Sequence, residues 1–178
     1  MKKSLILVIT LVFISINSHA QKVKFGLKAG ANYANLTGND ADGFDGLTSY
    51  HVGAVLELNI LENFSVQPEL LYSSQGAKQD GFDDVKLDYV TVPVLAKFYL
   101  ISDRLSLEAG PQFSFLVNDN LDNTFEKKDY DFAAVGGLGF NFTKNIFAQA
   151  RYVVGLTDTT KDAEIKNSII QVSLGYTF

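Results

Sequence analysis

The feature that most constrains this 178-residue chain is a two-residue alternation between apolar side chains and small or polar ones. The C-terminal segment is the clearest example, because every second residue from 170 to 178 is large and apolar: Ile170, Val172, Leu174, Tyr176 and Phe178. A period of two places successive side chains on opposite faces of a β-strand. The chain is therefore predicted to be built from strands, and its last strand has one apolar face.

Seven further segments alternate in the same way. The eight predicted strands cover residues 23–33, 50–60, 64–73, 87–100, 105–115, 131–141, 146–156 and 170–178. Long polar connections (35–49, 75–86, 116–130 and 157–166) alternate with short turns (61–63, 101–104 and 142–145). Short turns join antiparallel hairpins, so all long loops lie at one end and the short turns lie with both termini at the other. This layout predicts an all-β fold, an eight-stranded antiparallel up-and-down transmembrane β-barrel with periplasmic termini.

The polarity of the two faces indicates which one is inside. Eight glycines lie on the less apolar face, and small residues suit the crowded interior of an eight-stranded barrel. The apolar face is almost free of charge, as a lipid-facing surface must be. Single charges lie in mid-strand on the inner face, and buried charges persist only when they are paired. We therefore predict a structural ion network in the lumen, completed by Gln67, Gln112 and Gln149. Its predicted charged members are Lys24, Lys28, Glu57, Glu69, Lys97, Glu108 and Arg151.

The N-terminus has the pattern of a secretory signal. Lys2 and Lys3 precede an apolar run from residue 5 to 16, and Ser18 and Ala20 are small residues that favour cleavage before Gln21. Residues 1–20 are therefore predicted to be a signal peptide, and residues 21–178 one barrel domain. Removing two lysines and no acid changes the net charge from −5 to −7. This acidity argues against nucleic acid as a partner.

Catalytic and metal chemistry finds little support in the residue pattern. His51 lies near the loop end of the second strand with Ser49, Ser73 and Ser74 as candidate partners, an arrangement considered for a lipid A-modifying enzyme. By parity His51 faces inward, whereas a lipid deacylase needs a site that faces lipid. The segment from Asp40 to Asp45 lacks the full calcium-loop pattern. The sequence predicts no enzyme activity, no metal site and no cofactor.

Several motifs carry a resemblance to a known family. They are Gln67 to Gly76 in the third strand, Val92 to Tyr99 in the fourth, Ala109-Gly110-Pro111 in the fifth and Ala150-Arg151-Tyr152 in the seventh. In this order and spacing the chain resembles the PorT-type, porin-like outer-membrane β-barrel family. The final strand also resembles the closing strand of Gram-negative outer-membrane barrels. This resemblance implies that the strand ending in Phe178 is the signal that the barrel-assembly machinery reads during insertion.

Taken together, these patterns favour a small, monomeric outer-membrane barrel with a plugged lumen. Its expected role in the cell envelope is structural, in surface adhesion or in docking. The expected partners are outer-membrane lipid and lipopolysaccharide. The alternatives are a narrow pore or transport-related protein and, less favoured, the lipid A-modifying enzyme.

Overall fold

Eight antiparallel strands form one closed barrel in the computed structural model, which describes residues 23–37, 44–79, 85–101, 103–119, 130–156 and 166–178. The strands are β1 (Val23–Thr37), β2 (Phe44–Leu61), β3 (Phe64–Gln79), β4 (Val85–Ile101), β5 (Leu105–Asp119), β6 (Tyr130–Asn141), β7 (Ile146–Gly155) and β8 (Lys166–Thr177). Each strand pairs with its sequence neighbours, and β1 also pairs with β8 to close the ring. The predicted fold is confirmed.

Residues 1–22 lie outside the described part of the chain, so the expected signal peptide stays a prediction. No described helix is long and apolar enough to cross a membrane.

The inside and outside of the barrel follow the predicted parity. On β8 the outward row is half or more exposed at Ile170 and Leu174, whereas Gln171 and Ser173 between them are buried. The same alternation holds on the other seven strands. The barrel therefore carries its large apolar side chains outward, where lipid covers them, and its small, polar and charged side chains inward.

The strands extend further toward the long loops than the alternation predicted. β2 begins at Phe44 instead of residue 50, β3 continues to Gln79 and β5 to Asp119. The predicted loops 35–49, 75–86 and 116–130 were therefore too long. Toward the long loops the inner face carries buried apolar side chains such as Leu47 and Leu87, while the outer face becomes polar, as at Asp88. The lipid-facing pattern therefore ends although backbone pairing continues.

Outward aromatic side chains mark two levels on the barrel wall. Near the short turns are Phe25, Phe64, Phe98, Phe140, Tyr176 and Phe178; nearer the long loops are Tyr33, Tyr50, Tyr72, Phe115 and Tyr152. On β1 the two levels are represented by Phe25 and Tyr33, which are about 26 Å apart at a rise of 3.3 Å per residue. Because strands of outer-membrane barrels are tilted by about 35–45°, this length along the strand corresponds to about 19–22 Å of height, which is most of the apolar band of about 25 Å that aromatic girdles flank.

The prolines interrupt the ladder on three neighbouring strands. Leu56 on β2 and Pro68 on β3 face each other without forming a ladder pair. The same is true of Glu69 on β3 and Pro93 on β4. Val94 on β4 and Pro111 on β5 likewise form no ladder pair. A proline has no N–H to donate, so the facing carbonyl loses its ladder donor. Pro93 thus lies at a gap in the β3–β4 ladder, while the β4–β5 register shifts lie at Asp88/Tyr89 and Tyr99/Ile101.

Two glycines provide a matched test of interior packing. A Cβ at Gly53 would overlap the backbone of Leu70 and Leu71 on β3, whereas a Cβ at outward-facing Gly136 would meet no atom within 4 Å. We expect Gly53→Ala to lower the temperature at which the folded barrel unfolds by several degrees. Gly136→Ala should leave it unchanged or slightly raised, because glycine in a strand is destabilising by about 0.5–1 kcal/mol. Heat-dependent gel mobility measures both, and equal losses would contradict the close approach at Gly53.

Candidate functional site

Six of the seven predicted lumen charges lie together inside the barrel. All six form ion pairs, and each of their side chains is at most 7% exposed. We call this set the lumen ion network; it comprises Lys28, Glu57, Glu69, Lys97, Glu108 and Arg151. Lys24 is half-buried at the start of β1. Its Cα pairs with that of Glu57, but among the described residues it forms none of these ion pairs.

Arg151 is at the centre of the network. Its two terminal nitrogens donate to both carboxylate oxygens of Glu69 at 2.9 and 2.8 Å. Its Nε donates to Glu108 Oε2 at 3.0 Å. A bidentate guanidinium–carboxylate pair is among the strongest charge-assisted contacts in proteins. Because β7 and β3 are four strands apart in the ring of eight, this contact crosses the lumen.

Two lysines complete the charge balance. Lys28 Nζ lies 2.8 Å from Glu69 Oε2. Lys97 Nζ lies 3.1 Å from Glu57 Oε2 and 3.6 Å from Glu108 Oε1. Three cations therefore face three carboxylates, and each carboxylate has at least one cation in contact. This pairing is what allows six ionised groups to remain away from water.

Neutral side chains fill the remaining hydrogen-bonding positions. Gln67 accepts from Lys97 Nζ at 2.9 Å and donates to Glu69 Oε1 at 2.5 Å, so it bridges a lysine on β4 and a carboxylate on β3. Gln149 donates to both oxygens of Glu108 at 2.9 and 3.1 Å. Gln112 is placed elsewhere, where it donates to Ser114 Oγ at 3.3 Å.

Tyr99 is a member of the site that the sequence analysis did not select. Its hydroxyl donates to Glu57 Oε1 at 2.7 Å, and Lys97 Nζ lies 5.4 Å from its ring centroid. Tyr99 has the same parity as Lys97 two residues earlier, so parity alone places it on the inner face.

A second polar cluster surrounds His51, nearer the long loops. The ring contacts Asn32 Oδ1 through Nδ1 and Ser173 Oγ through Nε2, both at 2.7 Å. The sequence pattern suggests Ser49, Ser73 and Ser74 as candidate partners of His51. In the structure Ser73 joins the cluster through Asn32 Nδ2, at 3.0 Å. Parity alone does not predict the contact with Ser173, because Ser173 lies on β8 and β1 separates β8 from β2 in the ring.

The hydrogen bonds of Asn32 determine the tautomer of His51. Asn32 Nδ2 donates to Ser73 Oγ and to the carbonyl of Ser74, so Asn32 Oδ1 must accept from His51 Nδ1–H. Nε2 then accepts from the Ser173 hydroxyl, the order found in activated serine nucleophiles. However, Asn32, His51 and Ser173 are each only 1% exposed and face the lumen. A lipid substrate on the outer surface does not reach them.

No group of His, Asp or Glu among the described residues is arranged to hold a metal ion. The segment Asp40 to Gly43 lies outside those residues.

Comparison with known proteins agrees with the geometry. The model of a family described as "Outer membrane protein beta-barrel domain" matches residues 18–161. The attachment invasion locus protein Ail of Yersinia pestis has a similar structure at 16% identity, with a TM-score of 0.55, covering 87% of this chain and 98% of that one. Neisserial surface protein A is similar at 12% identity and a TM-score of 0.59, covering 86% and 97%.

A third similar structure is the outer-membrane protein OprG of Pseudomonas aeruginosa, at 10% identity and a TM-score of 0.54, covering 90% of this chain and 98% of that one. At such identities the likeness shows a shared fold alone. No curated protein sequence matches the chain.

Proposed function

Because the chain belongs to the outer-membrane protein β-barrel domain family, we propose that it is a non-enzymatic outer-membrane protein whose lumen is closed. The observation that carries this proposal is the charge-balanced lumen ion network, whose central contact, between Arg151 and Glu69, joins opposite strands of the ring. Eight strands enclose an interior only just wide enough for side chains. Paired ions that meet at its centre leave no continuous aqueous path there.

The proposed orientation places both termini and the three short turns in the periplasm. It rests on the asymmetry between short and long connections, since outer-membrane barrels keep short periplasmic turns and long extracellular loops. The β-hairpins then project beyond the membrane on the outside. From Tyr72 to the end of β3 at Gln79 the strand runs about 23 Å at 3.3 Å per residue.

We propose that this projecting end serves adhesion or docking, and that the barrel is a monomeric scaffold for it. A barrel of the same fold, Ail, is named for attachment, which makes such a role compatible with the architecture. We also propose the finer PorT-type assignment, which rests on the motifs in β3, β4, β5 and β7. The buried position of Ser173, His51 and Asn32 supports a structural hydrogen-bonding role instead of lipid hydrolysis.

Conductance across a planar bilayer tests the closed lumen. The wild-type barrel should show no resolvable current steps, because the cross-section at Arg151 is filled by paired side chains. The double variant Glu69→Ala/Arg151→Ala removes the central pair together, and we expect it to show discrete openings. Steps of nanosiemens size in the wild-type protein would favour the pore alternative.

A folded but silent double variant would also count against the proposal, since the network would then not be what closes the lumen. The compact, heat-modifiable gel band verifies that both proteins are folded. The matched control is Gln112→Ala, which removes a buried, inward-facing side chain outside the network and should remain silent.

A further inference from the structure

Two outward-facing rows of side chains lie one above the other where β2 to β5 leave the apolar band. The lower row is mainly apolar and consists of Val52, Tyr72, Val90 and Phe115, which pair in sequence across the four strands. The upper row, which we call the polar row, consists of Tyr50, Ser74, Asp88 and Asn118. Within it Ser74 pairs with Asp88 and Asp88 with Asn118.

Side-chain contacts hold the polar row in a defined arrangement. Asn118 Nδ2 donates to Asp88 Oδ2 at 3.2 Å. The rings of Tyr50 and Tyr72 lie 6.3 Å apart and are tilted by 35°. Tyr50 is 56% exposed on the outer wall. The result is an aromatic pair beside a carboxylate and an amide that are already oriented by the hydrogen bond between them.

We propose that the polar row binds the saccharide headgroup of an outer-leaflet glycolipid of the lipopolysaccharide class, whose acyl chains lie on the row below. Sugar rings offer apolar C–H faces to tyrosine and adjacent hydroxyls to a carboxylate and an amide, which is the chemistry that the row presents. Its four strands span about 14 Å at 4.8 Å per strand. The site is continuous with the lipid-facing wall, so one amphiphilic molecule can occupy both rows.

The saccharide site rests on the proposed orientation, which places this end of the barrel in the outer leaflet. Nanodiscs remove that dependence from the test, because lipopolysaccharide reconstituted into both leaflets reaches either end of the barrel. A conducting lumen would likewise leave this measurement unaffected. Failure of the saccharide site is therefore distinguishable from failure of the proposed function.

The experiment compares nanodiscs of phosphatidylethanolamine and phosphatidylglycerol with the same nanodiscs containing rough lipopolysaccharide. Lipopolysaccharide should raise the unfolding temperature of the wild-type barrel and should copurify with it. Replacing both Asp88 and Asn118 by alanine removes the hydrogen bonds to the sugar and should weaken retention about tenfold, the equivalent of 1.4 kcal/mol. Tyr50→Leu should weaken it in the same direction.

Tyr152→Leu is the matched control, because Tyr152 is an outward tyrosine of similar exposure, 50%, on the opposite wall at β7. It should retain lipopolysaccharide as the wild type does. Equal losses for Tyr50→Leu and Tyr152→Leu would overturn the site, as would equal stabilisation by nanodiscs without lipopolysaccharide. Deacylated saccharide should compete only weakly, and competition as strong as that of the intact glycolipid would show that the lower row takes no part.

Discussion

Replacing Glu69 by alanine should destabilise the folded barrel by about 3–5 kcal/mol, the usual cost of breaking a buried ion pair. Glu69 accepts from both terminal nitrogens of Arg151 and is the ion-pair partner of Lys28. The variant therefore leaves one buried lysine without its carboxylate and half of a guanidinium unpaired. For a domain of this size the unfolding temperature should fall by roughly 10 °C. The loss of compact gel mobility on heating measures it.

A second substitution separates the stranded charge from simple loss of packing. Glu69→Ala combined with Lys28→Ala removes the uncompensated lysine, so the double variant should recover part of the stability that the single variant loses. Gln112→Ala is the neutral control, since Gln112 contacts Ser114 and lies outside the network. Gln149 would be a poorer control because it bonds to Glu108 directly. If Glu69→Ala and Gln112→Ala lowered stability equally, the network would not hold the barrel together.

The barrel itself could be predicted from the sequence because lipid and lumen impose a strict period of two. A shift of one residue would turn Lys28 or Arg151 toward lipid, so the parity of every strand is determined by its charges and its large apolar residues. The ends of the strands could not be predicted in this way. Near the start of β2 the buried inner residue is Leu47 and the exposed outer residue is Thr48, so the apolar residue no longer lies on the lipid-facing side and the pattern that marks the rest of the strand is lost.

The residues of the site could be predicted from the sequence, but the contacts between them could not. Parity and height place Lys28, Glu69 and Arg151 at one level of the lumen, yet adjacency along the sheet suggests partners on neighbouring strands. In a narrow barrel, long side chains reach the axis, so β3 contacts β7 directly. The same reach brings Ser173 of β8 to His51 of β2. Contacts across the lumen depend on the tilt and stagger of the strands in the closed barrel. The alternation of residues along the sequence gives no information on either quantity.

The C-terminal residue provides a second large expected effect, in assembly. Phe178 N–H donates to the carbonyl of Phe25, and the two rings stack with centroids 6.0 Å apart. Tyr176 meets the same ring edge-on at 5.3 Å. Phe178 thus contacts both sides of the β1–β8 seam that closes the ring. If the assembly machinery reads the outward row of β8, deleting Phe178 removes the terminal member of the signal and a contact of the seam.

We expect deletion of Phe178 to reduce the amount of folded barrel in the outer membrane about tenfold, because the seam contact and the assembly signal are lost together. The unfolded chain should accumulate in the periplasm. Cell fractionation followed by heat-modifiable gel mobility measures both pools. Phe142→Ala is the matched control, because Phe142 is an exposed phenylalanine at the same end of the barrel, 57% exposed, outside β8. Refolding of purified chains into vesicles without assembly machinery separates the two contributions. If the deletion variant refolds there at the wild-type rate while failing in cells, recognition is what was lost; normal insertion in cells would refute the assembly role of Phe178.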